Sequence, residues 1–373
     1  FRQRATFQRA MKVTVIVGQC FALNPVLGVS DFDTSNLRFT YFSGRCVYTL
    51  FAIVGQAIFL TCFSFIKYFN ETSTSVTSNT SLVFYVSNTI ITVLFLRLAR
   101  QWPKLCHIQT YCLLSEYVKV TIKTEFVTSV LFEVKLLNAR LTWGVSCIDH
   151  LFLNILCTFN WNFVDIFIIS ISFYLTSRLE QVNKRIAEVR GKYVPTAFWR
   201  NVREDYNRAT DLVRRVDKVI GSIVFISFAN NLVFICMQLL HTFANGIKAT
   251  SSCHDPDKRP LHGYEQAVYF TYSFLFLVVR SLAVSLIASQ VHTASRQPVY
   301  ALYEVPSAVY CIEVQRLIEQ IHGETVALTG LQFFKVKRGI VLAIAGTIVT
   351  YELVLLQFTG VTPTVTTLKC HKL

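Results

Sequence analysis

The stretch GIVLAIAGTIVTYELVLLQF, residues 339–358, decides how the rest of the chain is read. It contains one acid, Glu352, and a basic cluster of Lys335, Lys337 and Arg338 stands just before it. At about 1.5 Å of rise per residue it covers the ~30 Å hydrocarbon core of a bilayer, so it reads as a membrane-spanning helix. With ~3.6 residues per turn, Thr347, Thr350 or Tyr351, Val354, and Gln357 or Phe358 fall on one face. That face carries hydroxyls and an amide along an otherwise apolar helix and ends in an aromatic ring. Glu352 lies roughly opposite Val354 and would point into its own bundle. The same pattern also reads as ordinary helix packing, with threonines bonded back to their own backbone.

The composition places that helix among several others. Of 373 residues, 53% are hydrophobic and only 16% charged, against about 25% charged in soluble domains. The formal charge of +14 would suggest nucleic acid in a soluble protein. In a polytopic membrane protein the same Lys and Arg mark cytoplasmic loops, and no nucleic-acid partner is expected. Eleven cysteines follow no CxxC or Cys/His ligand spacing, so neither a metal nor a cofactor is implied. Most sit in apolar runs as small buried hydrophobes. Cys253 and Cys370 lie outside those runs, where an oxidising compartment would let them pair. The chain opens FRQRA without Met, so a natural start upstream is expected.

Taken in order, residues 13–29 form an apolar patch interrupted by Gly18, Gln19, Asn24 and Pro25, short for a span and expected to be re-entrant or interfacial. The first span is expected at 46–66. The polar loop after it holds two sequons, at Asn70 and Asn79, with Asn70 the better placed acceptor. A second span at 82–98 exits through the basic LRLARQWPKL. A third is expected at 141–159, then a very short turn at Asn160–Trp161 and a fourth span at 162–177. Residues 178–218 are heavily charged and should extend the fourth and fifth helices into the cytoplasm. The fifth and sixth spans are expected at 219–244 and 266–290. Residues 304–327 read as an amphipathic cytoplasmic helix before the seventh span.

Seven spans with a cytoplasmic N-terminus and an extracellular C-terminus put 27 Lys and Arg inside and 6 outside, which fits the positive-inside rule. If 13–29 also spanned, the ratio would be 23 to 10, so charge does not settle that segment. The orientation is the reverse of a G-protein-coupled receptor, and neither a DRY-type tripeptide nor an NPxxY is present. A transporter would show repeated halves with broken helices, and no repeat is found. No catalytic residue or nucleophile motif is recognised, so an enzyme is not expected. A metabotropic seven-helix receptor or a transporter for a small polar ligand stands as the alternative class.

The ending Thr350-Tyr351, five residues, Gln357-Phe358 resembles the TY(x5)QF signature of insect gustatory receptors. Four further stretches are similar to the sugar-receptor branch: QCFALNPVLGV (19–29), LRLARQWPKL (96–105), NWNFVDIFIISIS (160–172) and the long run 297–358. The resemblance implies an all-α, seven-helix, tetrameric, sugar-gated and non-selective cation channel. It would act in taste, in the plasma membrane of chemosensory neurons, with related subunits, membrane lipid and permeating cations as partners. Residues 1–298 would then be the ligand-binding bundle of helices one to six, 299–358 the anchor helix and pore-lining seventh helix, and 359–373 an extracellular tail. A pore face of Thr347, Thr350, Tyr351, Val354, Gln357 and Phe358 lacks an acidic ring and should discriminate poorly among cations.

Polar groups at bilayer depth are costly and usually functional. Asp149, His150 and Asn154 on the third helix, Trp161, Asn162 and Asp165 at the outer start of the fourth, Gln238 and His241 on the fifth, and Tyr269 and Tyr272 on the sixth are expected to converge on one outward cup. Carboxylates and amides suit sugar hydroxyls, and aromatic faces suit sugar C–H surfaces. Asp149 and Asp165 are the leading candidates. Each residue also reads as an inter-helix hydrogen bond, and the aromatics as an interfacial belt. Asn230, Asn231 and Arg280 are expected to be structural, Arg280 by pairing with an acid.

Overall fold

The computed structural model describes residues 7–31, 34–69, 76–110, 148–245 and 265–359. Two long helices, α4 (Ile148–Glu188) and α5 (Thr196–Asn245), form the central antiparallel hairpin. At ~1.5 Å per residue the 50 residues of α5 are roughly 75 Å long, more than twice a bilayer's apolar core. The composition divides accordingly. The half of the hairpin beside its turn is charged and closed by ion pairs, Arg185 with Asp205 and Arg203 with Glu313 at 2.7 Å. The other half is apolar.

The remaining helices are α2 (Gly44–Phe69), α3 (Val76–Thr110), α6 (Glu265–Arg296), α7 (Pro298–Tyr303), α8 (Ile312–Gly323) and α9 (Ile340–Thr359), with α1 (Phe7–Cys20) at the start. Among the described residues, five helices are long and apolar enough to cross a membrane, with candidate spans at Gly44–Cys62, Ser81–His107, Phe152–Glu188, Thr196–Leu240 and Phe270–Tyr303. To these α9 adds a shorter apolar stretch, Ile340–Val354. The chain is a multi-pass membrane protein, and its described residues are helical but for connecting loops and one two-residue strand pair, β1 (Thr329–Gly330) with β2 (Phe334–Lys335).

Contacts fix the directions. Asp165 meets Ser227 and Asn231 at one level and Arg185 meets Asp205 at another, so α4 and α5 are antiparallel. Asp165 pairs with Arg280 at one level, while Asn183 donates to the Ala294 carbonyl lower down, so α6 runs with α4. Phe84 lies by Trp161 and Trp102 by Phe167, so α3 does too. It follows that α3 ends at the charged base, whereas α4 begins at the opposite end of the bundle.

The sequence predicted a turn at Asn160–Trp161 between two spans. Instead, both residues lie inside the single helix α4. Of the two asparagines here, Asn162 is absorbed by neighbours. Asn162 donates to the Thr158 carbonyl at 2.8 Å, and its own carbonyl takes a bond from Arg280. The expected third span falls partly outside the described residues, at 141–147. The cytoplasmic helix expected over 304–327 is confined to α8, with extended chain and the strand pair after it.

Residues 7–31 form a hairpin of α1 and an irregular return. Phe7 packs on Trp102 and Tyr174, Thr14 on Ser170, and Phe21 stacks on Phe159, so α1 climbs along α4. Positive φ at Ala22 and Asn24 turns the chain. Gln8 then donates to the carbonyls of Gly28 and Asp31, closing entry and return at one end. Gly28 sits at φ +78°, and a Cβ there would stand 2.2 Å from the Asn36 carbonyl oxygen. Only glycine fits.

The strand pair seats α9. Both Asp217 oxygens accept from Thr329, at 2.6 Å from its N–H and 2.9 Å from its hydroxyl. Gly221 lets the Leu331 N–H reach its carbonyl at 3.2 Å.

Candidate functional site

The side chains at the middle of α4 sit in a buried polar network. Asp165 is 1% exposed and Arg280 also 1%. Arg280 Nε stands 2.9 Å from Asp165 Oδ2. Ser227 donates to the other carboxylate oxygen, and Asn231 donates to Oδ2 at 3.2 Å. The remaining guanidinium donors go to the side-chain oxygens of Asn162 and, at 2.8 Å, Asn231. The acid that Arg280 was expected to need is thus Asp165, and Asn231 joins the pair.

An ion pair this deep is tolerated because both Asp165 oxygens accept hydrogen bonds and both terminal nitrogens of Arg280 donate them. Leaving either charge alone at this depth would cost several kcal/mol. The guanidinium also lies 4.1 Å from the centroid of the Trp161 ring.

Trp161 connects this floor to an aromatic cluster above it. Its ring packs against Phe84 and Phe234, with centroids 6.1 and 4.9 Å away. Its indole N–H is buried and has no hydrogen-bond partner among the described residues. Gln238 of α5 donates to the Ser273 hydroxyl of α6 at 3.1 Å, and one turn below Ser273 Phe276 stacks with Tyr272. Phe84 on α3 and Phe234 on α5 were not singled out from the sequence. Isolated phenylalanines in apolar helices carry no local signal of facing a polar site.

The continuity of α4 corrects the single cup. Asp149 and Asp165 are sixteen positions apart on one helix, about 24 Å along its axis. Both cannot contact one small sugar. Trp161, Asn162 and Asp165 lie mid-helix and not at an outer helix start. Asn154 is buried on the same helix, between the two levels. Asp149, His150, His241 and Tyr269 have helical backbones, and their side chains fall outside the described residues.

On α9 one stripe faces the chain's own bundle. Ile340 and Ile344 pack on the main core, Ile348 on Phe234, Ile235 and Leu277, and Glu352 is 6% exposed. The opposite side is bare: Thr347, Thr350, Tyr351 and Val354 are all exposed. Both threonine hydroxyls donate to carbonyls one turn back, at 2.9 Å. Their lone pairs stay available on the open face. Gln357 and Phe358 belong to the same helix, with side chains outside the described residues. Asn70, Cys253 and Cys370 lie outside the described residues, while Asn79 falls in the first turn of α3.

The chain matches the family model described as trehalose receptor over residues 1–151 and 130–370. It is 31% identical to the Drosophila melanogaster gustatory receptor for sugar taste 64f, covering 96% of this chain and 82% of the relative. To gustatory receptor 5a for trehalose, from the same fly, it is also 31% identical, covering 96% and 86%. Its fold is similar to that of the insect olfactory receptor OR5 from Machilis hrabei in complex with eugenol. The TM-score is 0.65 at 16% identity, covering 93% of this chain and 97% of that one.

Proposed function

From the chain's membership of the insect sugar gustatory receptors, the family that the trehalose-receptor model describes, we propose that it is a sugar-gated, non-selective cation channel of chemosensory plasma membranes. Four copies, identical or related, surround a pore lined by α9. The observation that carries this reading is the two-sidedness of α9. One stripe is committed to its own bundle, and the other offers hydroxyls and a phenol to no element of its own chain among the described residues. A helix of that kind suits a wet axis shared between subunits.

Residues 1–298 form the ligand-binding bundle, 299–358 the anchor and pore helix, and 359–373 a tail. The orientation keeps the N-terminus in the cytoplasm and the C-terminus outside. Seven spans follow if the chain crosses once between α3 and α4, whose facing ends lie at opposite ends of the bundle. The charge-rich base then lies in the cytoplasm, in keeping with the positive-inside rule.

The sugar sits above the Asp165–Arg280 floor, among Trp161, Phe84, Phe234, Gln238 and Tyr272. The unpartnered indole N–H offers a donor to a sugar hydroxyl, and the rings cover its C–H faces. Asp149, His150, Asn154, His241 and Tyr269 line the route from outside. Asp165 and Asn162 hold Arg280, and through it the Trp161 ring.

Whole-cell recording against a panel of mono- and disaccharides tests this. Sugar-evoked inward current is expected, and Trp161→Phe should keep the ring while losing the donor. A hydrogen bond to a neutral hydroxyl contributes about 0.5–1.5 kcal/mol, so the dose–response should move roughly two- to tenfold to higher sugar. An unmoved curve in a normally expressed variant would place the sugar elsewhere.

A further inference from the structure

The cations at the base of the bundle fall into two groups. On α4 and α5 five of the arginines are matched by carboxylates: Arg185 with Asp205, Arg203 with Glu313, Arg208 with Glu204 and Asp205, Arg214 with Asp211 and Glu324, and Arg215 with Asp211. On α3 they are not. Arg97, Arg100 and Lys104 recur at helical spacing on one exposed face, opposite buried Leu98, Trp102 and Leu105. The helix contains no acidic residue, and no ion pair reaches these three among the described residues.

The segment entering α2 lies against this face. Arg100 stands over the Tyr41 ring at 5.8 Å, and Phe39 meets Tyr41 edge-on at 4.9 Å. Arg38 is exposed beside them in the chain. Phe42 is 96% exposed, two residues before the apolar helix α2 begins. Asp31, the acid described in the hairpin return, is engaged by Asn36 at 3.1 Å. Four unmatched cations beside a bare aromatic therefore sit where one apolar span begins and another ends.

We propose that this face binds the anionic headgroup of a membrane phospholipid, a polyphosphorylated inositol lipid being the class whose charge matches it. Arg97, Arg100, Lys104 and Arg38 grip the phosphates, and Phe42 enters the acyl layer. Guanidinium groups suit phosphate oxygens because they donate in a planar fork. Placing the site in the inner leaflet rests on the orientation proposed above. Binding itself does not, and it is read without any sugar response.

The test uses the purified full chain in detergent and dioctanoyl phosphatidylinositol 4,5-bisphosphate as the probe, at physiological salt. Each basic residue near an anionic surface contributes about one kcal/mol, so R97Q/R100Q/K104Q should weaken binding on the order of one hundredfold. R208Q/R214Q/R215Q, which removes charges already matched by carboxylates, should change it by less than about threefold. Both variants should elute and unfold as the parent does. If the α3 triple variant unfolds early, R100Q alone should still weaken binding roughly fivefold. Unchanged binding by the α3 variant, or an equal loss in the control, would overturn the proposal. So would free inositol 1,4,5-trisphosphate binding as tightly as the lipid, since the site would then take a soluble phosphate.

Discussion

Asp165→Leu should remove nearly all of the receptor from the cell surface. The substitution leaves Arg280, 1% exposed, without its counter-charge, and leaves Ser227 and one Asn231 donor without an acceptor. Breaking one side of a buried ion pair typically costs 3–5 kcal/mol. Folded domains have only about 5–15 kcal/mol in all. Removing both charges should be far milder, because apolar replacement of a whole buried pair is often close to neutral. Asp165→Leu with Arg280→Met should therefore recover a large part of the surface signal, less what the orphaned asparagines cost. Surface biotinylation reads both variants. Wild-type surface levels for Asp165→Leu alone would show that the pair does not hold the bundle.

Phe358→Ala should give a standing current without sugar. On α9 the stripe from Ile340 to Glu352 is taken up by the chain's own core, and the exposed stripe runs through Thr347, Tyr351 and Val354. Helical spacing carries that exposed stripe on to Phe358. In the proposed tetramer four phenylalanine rings would converge on the axis, an apolar constriction that closes partly by dewetting. Cutting each to a methyl group opens and wets it. The leak should be comparable with the sugar-evoked current of the parent and insensitive to sugar. A silent, sugar-responsive Phe358→Ala channel at normal surface density would put the gate elsewhere on α9.

Much of this molecule is legible in its sequence because lipid imposes one-dimensional rules. Apolar runs of about twenty residues, a basic exit such as LRLARQWPKL and the charged stretch 178–218 mark helices and their ends without reference to partners. The turn at Asn160–Trp161 is where such reasoning misleads. Polar residues in a membrane helix read as a break when their partners are unknown. The partners of Asn162 lie at Thr158 and at Arg280, over a hundred positions away.

The same blindness set Asp149 and Asp165 side by side. A helix boundary that does not exist brings both to one depth and one cup. Pairing was easier to anticipate than its identity. Arg280 at that depth demands an acid, but only packing distinguishes Asp165 from other carboxylates. Phe84 and Phe234 give no signal at all, since a phenylalanine packed on a buried tryptophan and one facing lipid look alike in sequence.

The central claim is that one polypeptide both binds sugar and forms the pore. Purified chain reconstituted in planar bilayers, with no other protein present, tests it most directly. The account predicts discrete single-channel openings on adding a disaccharide to one face, carried by both Na+ and K+. Bilayers that remain silent to every sugar, while the same preparation binds sugar, would contradict it.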